Sequence, residues 1–170
     1  MPGEPRRALP FDPIEAARAQ WVEHGWGEAA DGMAAVTSLM RAHQIALARV
    51  ESALRPLGVS FARYEVLMLL LFSRRGSLPM RTIGSRLQVH PTSVTNAVDR
   101  LARAALVTRS PSAEDRRAVL VALTPEGRAL AEKATAALND EVFGRLGLSA
   151  GETRTLLRVL TTLRSGAGDF

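Results

Sequence analysis

Residues 80–127 read MRTIGSRLQVHPTSVTNAVDRLARAALVTRSPSAEDRRAVLVALTPEG, and their patterning decides the fold. Apolar spacing predicts two short helices, about 80–87 and 91–104, followed by two strands, about 106–109 and 118–123, joined by a polar loop. On a helical wheel with Val94 at the origin, Val98, Leu101 and Ala105 fall within about 40° of it, while Thr92, Asn96, Asp99, Arg100 and Arg103 lie between about 140° and 240°. One narrow stripe is apolar and the opposite face is small, polar and basic. Pro91 opens the second helix, and Thr92 and Ser93 follow where free backbone N–H groups and hydroxyls can meet phosphate oxygens. Thr92, Ser93, Thr95, Asn96, Arg100 and Arg103 are therefore the candidate contacts to double-stranded DNA. The ordinary alternative is an amphipathic helix pair with no ligand, and the turn Gln88-Val89-His90 has no glycine. The strand pair weighs against that alternative. Its loop carries Arg116 and Arg117, and a basic hairpin just after a DNA-reading helix can reach the neighbouring minor groove.

Outward from this centre the chain is helical. Asp12-Pro13-Ile14-Glu15 is a helix start, with Asp12 as N-cap and Glu15 three residues on. That helix is predicted to end near His24, and Gly25-Trp26-Gly27 breaks the chain. A long helix is predicted over 28–55 from the spacing of Val36, Leu39, Met40, Ile45, Leu47 and Val50, ending at Pro56-Leu57-Gly58. Ser60 caps a very apolar helix over 61–73, which belongs in the core. Thr124-Pro125 starts a helix to about 145, and Ser149–Glu152 is a capping box for a last helix ending near Arg164. The expected architecture is mainly α with a small β-hairpin. Its parts are an N-terminal arm and extra helix (1–27), a long helix (28–58), a helix-turn-helix lobe with a hairpin (60–124) and C-terminal helices (125–165).

Charge supports this centre. The 170-residue chain has a net charge of +5, and Lys133 is its only lysine. Residues 74–117 hold nine arginines against Asp99, Glu114 and Asp115, so this stretch is strongly basic in a near-neutral body. Such a distribution fits a nucleic-acid binder; a solvated Arg-rich face is the plainer alternative. There is no cysteine, which excludes disulfides, thiolate metal sites and thiol redox sensing. No apolar run is long enough to span a membrane, and residues 1–12 hold no signal-peptide core. A cytoplasmic location is the default expectation.

Asp115-Arg116-Arg117, running through Val119-Leu120-Val121-Ala122-Leu123 into Thr124-Pro125-Glu126-Gly127, resembles the wing of the MarR family of bacterial winged-helix regulators. Ser93-Val94-Thr95-Asn96 and Asp99-Arg100-Leu101 resemble its recognition helix, with Ala105 where glycine is usual. The likeness covers roughly residues 33–163. It implies a winged helix-turn-helix with long dimerisation helices, Arg117 in the minor groove, and Asp115 bracing the wing through arginine pairing. It also implies a homodimer whose terminal helices interlock through Val142, Phe143, Leu146, Leu156, Leu157, Leu160 and Leu163. Repression released by a small anionic or aromatic ligand is the implied behaviour, and a winged-helix protein-interaction module without DNA binding is the alternative.

The extension before the family core holds Trp21, His24 and Trp26. It is similar in part to the urate-responsive branch of the family, which also adds an N-terminal helix supplying a Trp. This chain has Ala97 where that branch has Arg, and Glu65 where it has Asp, which argues against urate itself. The candidate ligand residues are Trp21, His24, Trp26, His43, Arg63 and Glu65; packing of the two tryptophans as structural staples is the alternative. No catalytic residue is nominated. His24, His43 and His90 are too dispersed for a metal motif, and no nucleophile elbow or phosphate loop is present. No metal, cofactor or membrane partner is expected.

Overall fold

The computed structural model describes residues 9–111 and 118–170. Among them, in order, are α1 (Pro13–Glu23), α2 (Gly27–Leu54), α3 (Phe61–Phe72), β1 (Ser77–Pro79), α4 (Met80–Leu87), α5 (Pro91–Arg103), β2 (Val107–Pro111), β3 (Val119–Leu123), α6 (Pro125–Glu141) and α7 (Ala150–Gly166). The expected wing residues Asp115, Arg116 and Arg117 lie outside the described residues. The chain forms two compact units, Met1–Ala48 and Arg49–Phe170, with the boundary inside α2.

In the first unit, Asp12 caps α1 as its sequence predicts: its Oδ1 accepts from the Ile14 N–H at 2.9 Å. Arg18 on α1 pairs with Glu15 and with Asp31 on α2, each at 3.1 Å.

The second unit is built on α3. Val66, Leu67 and Leu70 are fully buried there, and α4, α5, β3 and α6 add Ile83, Val98, Leu101, Val121, Ala134 and Leu138 to the same core. Ser60 stands at the N-cap of α3 but its side chain makes no cap bond. Its Oγ instead accepts from Arg63 Nε, and Glu51 Oε1 on α2 takes the Phe61 N–H at 2.9 Å. A tertiary partner has replaced the local cap. The helix predicted to run to 145 stops at Glu141, followed by a 3-10 turn, Phe143–Arg145. Arg49 Nη2 donates to the carbonyls of Glu141 and Arg145 at 3.2 and 2.7 Å, satisfying acceptors that a helix end leaves open. The break also turns Val142 into the protomer's own core, at 6% exposure, so it is not a dimer-surface residue as expected.

The sheet has the order β1-β3-β2, antiparallel throughout. Val107 pairs with Leu123 and Pro111 with Val119 on one edge; Ser77 pairs with Ala122 and Pro79 with Leu120 on the other. Strand β1 has no sequence counterpart in the expected hairpin. It is three residues long and contains a proline, so it shows no alternation, and its pairing is supplied by β3.

The junction between α5 and α6 explains two features of the sequence. The α5 end is a Schellman motif: Leu106 N–H donates to Leu101 O and Ala105 N–H to Ala102 O, both at 3.0 Å. Ala105 therefore has φ +57°, the conformation that favours glycine. It is exposed and does not belong to the apolar stripe, whose fourth member is Ala97. Thr124 then caps α6 by accepting from the Gly127 N–H at 3.0 Å, and its hydroxyl donates to Ala105 O at 2.9 Å. The Thr124 N–H donates to Leu106 O at 3.2 Å. At Gly127 any Cβ would lie 2.0 Å from Leu106 O.

Two substitutions test this junction in opposite directions. Gly127→Ala forces backbone apart and is expected to lower folding stability by about 3 kcal/mol. Ala105→Gly relieves the left-handed strain and is expected to raise it by about 1 kcal/mol, after the entropy glycine adds to the unfolded chain. Urea unfolding of both variants measures the two effects; a stable Gly127→Ala protein would contradict the close approach.

Candidate nucleic-acid interface

Helix α5 buries Val94, Ala97, Val98 and Leu101. Thr92, Ser93, Thr95, Asn96, Arg100 and Arg103 are all exposed, so the structure gathers the described DNA candidates on one outward helix surface. The N-cap is His90, whose Nδ1 accepts from the Thr92 N–H at 3.3 Å. The Ser93 and Val94 N–H groups both donate to His90 O, at 2.9 and 3.3 Å, so what this end of α5 offers a phosphate is its positive dipole and the Thr92 and Ser93 hydroxyls. Thr95 Oγ donates to Pro91 O at 3.0 Å. Its proton is thus committed, and toward a base edge Thr95 offers acceptor lone pairs. Asn96 can both donate and accept, while Arg100 and Arg103 supply donors and positive charge.

The turn before α5 is closed without glycine by Gln88, which takes φ +52°. Its Nε2 donates to Asp169 O at 2.6 Å, and Asp169 is itself paired with Arg164 near the end of α7. Helix α4 supplies Arg81 and Arg86, both exposed. Asp99 on α5 pairs with Arg109 on β2. This pair ties the outward helix to β2, the strand that precedes residues 112–117. It was absent from the sequence expectation, although the helical wheel already put Asp99 on the outer face, where a lone acid among arginines calls for a partner.

The expected ligand residues belong to both units. In the first unit, Trp21 and Trp26 meet edge to face with ring centroids 5.4 Å apart, and His24 lies 5.6 Å from Trp26. His24 Nδ1 donates to Gln20 O at 2.7 Å. His43 is an exposed residue of α2. In the second unit, Arg63 is engaged by Ser60, and Glu65 lines a groove between α3 and α6. Burial raises the Glu65 pKa above the ordinary carboxylate value. Among the described residues no cluster of acids and histidines could hold a metal ion, and no helix is long and apolar enough to cross a membrane.

A helix pair whose second member presents a polar, basic face, followed by an antiparallel strand pair packed on the same core, is a winged helix-turn-helix. Residues 61–119 match the MarR family. The chain is 32% identical over 124 residues to the uncharacterized HTH-type transcriptional regulator YhbI of Bacillus subtilis (strain 168), covering 71% of this chain and 79% of the relative. It is 48% identical to Sco5413, a MarR family transcriptional regulator from Streptomyces coelicolor, with a TM-score of 0.75 over 82% of this chain and 97% of that one. A mutant MarR from E. coli complexed with operator DNA is 26% identical, with a TM-score of 0.69 over 75% of this chain and 91% of that one. The chain belongs to the MarR family of transcriptional regulators.

The Asp99–Arg109 tie yields a test. Both partners are partly exposed, so Asp99→Ala is expected to cost less than about 1 kcal/mol of folding stability. Losing the acid also strengthens general attraction to phosphate. The ratio of affinity for the operator to affinity for unrelated DNA should therefore fall, read by competition gel-shift. An unchanged ratio would show that the pair does not position the helix.

Proposed function

We propose that this chain is a homodimeric repressor that binds a pseudopalindromic operator and releases it on binding an effector. The observation that carries the DNA reading is the division of α5: four side chains buried, six polar or basic ones exposed. A helix of this composition in the major groove reads base edges with Asn96, Thr95 and Arg100, while Thr92, Ser93 and Arg103 hold phosphates. Arg116 and Arg117 enter the adjacent minor groove, and Asp115 braces them. The protein-interaction alternative gains no support from so basic a surface. The protein works in the cytoplasm, where its DNA is.

Residues 60–124 act as the DNA-binding lobe, and 28–58 with 125–165 as dimerisation helices. The support is unburied apolar surface: Val36, Leu39, Met40 and Ile45 on α2, and Leu156, Leu157 and Leu163 on α7, are all exposed. Helix α7 has no buried residue at all. Large exposed apolar patches mark association surfaces, and a two-fold partner satisfies them. Residues 1–27 form an added arm and helix. There the Trp21–His24–Trp26 cluster offers a planar aromatic ligand an apolar face and two indole N–H donors.

Three results are expected. Arg117→Ala weakens operator binding by ~1–3 kcal/mol per half-site without unfolding the protein; equal affinity in a gel-shift titration would remove the minor-groove role. A footprint on DNA upstream of the protein's own gene shows two half-sites ~10 bp apart, with affinity falling roughly 10³–10⁵-fold between about 50 and 200 mM salt for ~6–10 phosphate contacts. A flat salt response or a single half-site would contradict this reading. Leu157→Asp places a charge in the dimer surface, so sedimentation should report a folded monomer; a dimer of unchanged strength would move the interface elsewhere.

A further inference from the structure

Gln88 stands at the C-cap of α4 with φ +52° and ψ +34°, a left-handed conformation in which glycine or asparagine is the usual choice. Glycine has no side chain and asparagine is one methylene shorter. Glutamine here reaches a partner far along the chain: its Nε2 donates to Asp169 O at 2.6 Å, just beyond the end of α7.

That acceptor is held in place by its own segment. Helix α7 ends in a Schellman motif, with the Asp169 N–H donating to Arg164 O at 3.1 Å and the Gly168 N–H to Ser165 O at 3.0 Å. Gly168 supplies the left-handed step, at φ +71°, that such an ending requires. The chain therefore turns back, and Arg164 takes the half-buried Asp169 carboxylate through Nε and Nη2, each at 2.6 Å. The Arg164 guanidinium also lies 5.1 Å from the centre of the Phe170 ring, within cation–π range. Helix α7 has no buried residue of its own, so this closure is not a by-product of core packing.

We propose that residues 164–170 latch the turn before the recognition helix, with Gln88 as the positioning residue that sets the N-terminal end of α5 for the major groove. The proposal rests on the reading of α5 as the helix that enters DNA. His90, two residues after Gln88, caps α5, so a turn that shifts carries the cap with it, and with the cap Thr92, Thr95 and Asn96. When the latch is closed the turn holds one orientation. When it is open the turn samples several, and apparent operator affinity falls in proportion to the time spent in the competent one.

The experiment is a double-mutant cycle on the full chain with Gln88→Met and Gly168→Val. The first keeps side-chain length and removes the donor. The second meets no neighbouring atom but denies residue 168 its left-handed step, which displaces the Asp169 carbonyl. Neither changes the charge. In the free protein, each variant is expected to speed amide hydrogen exchange at Thr92, Ser93 and Val94 about fivefold, as the loss of one ordinary hydrogen bond implies. In gel-shift titration on the upstream DNA, each should weaken operator binding by about the same factor per half-site. The double variant should be no weaker than either single one, and the salt slope should not change, because no phosphate contact is lost. Exchange that neither variant alters would overturn the latch. Additive losses would show that Gln88 acts on DNA by itself and would overturn it too. Faster exchange with unchanged operator affinity would overturn the positioning role. The exchange arm needs no DNA, so failure of the latch is told apart from failure of the α5 reading.

Discussion

Leu106 O accepts from the Thr124 N–H, lies where a side chain at Gly127 would have to go, and follows a left-handed Ala105 whose own carbonyl accepts from the Thr124 hydroxyl. Three elements meet at this point: the end of the recognition helix, the start of β2 and the first turn of α6. Backbone hydrogen bonds fix their relative placement to a fraction of an ångström, and the absence of a Cβ at Gly127 lets them approach. A pair of recognition helices matches two half-sites only if each is held at a constant angle to the rest of its protomer. The junction is the part of the protomer that sets that angle. It also explains why threonine and glycine are spaced as they are after β3, a pattern that the wing alone does not require.

Much of this was legible in the sequence because local physics and the fold agree. The α5 stripe, the α1 cap at Asp12 and the Ser149–Glu152 capping box depend on residues within a turn or two of one another, and their spacing shows directly. What escaped the sequence depended on distant partners. Glu51 replaces Ser60 as the cap of α3, Arg49 closes the end of α6, and β1 exists only because β3 offers it an edge. The Asp99–Arg109 pair joins a helix to a strand ten residues on, beyond the reach of helical periodicity. The resemblance implies Val142 in the dimer surface, but the break after Glu141 turns it into the protomer's own core. Of the candidate ligand residues, Trp21, His24 and Trp26 form an aromatic trio within the first unit, a contact that sequence spacing does not reveal.

Charge follows the same division. The arginines of the 74–117 stretch attract phosphate over a Debye length of about 8–10 Å, with little dependence on exact placement. Specific reading needs the short, directed groups of α5. Glu65 has the opposite character: one half-buried acid in a groove whose lining holds no basic residue. The two regions connect through α3, which packs on α6, α4 and α5.

The central claim is that the outward face of α5, held by the α5–α6 junction, lies in the major groove. Dimethyl sulfate protection of guanine N7, a major-groove atom, on the protein's own upstream DNA tests it most directly, with wild type beside Asn96→Ala. The account predicts two clusters of protected guanines about one helical turn apart, with protection lost next to the Asn96 position in the variant. Binding that leaves every guanine N7 reactive, or a pattern that Asn96→Ala does not change, would contradict it.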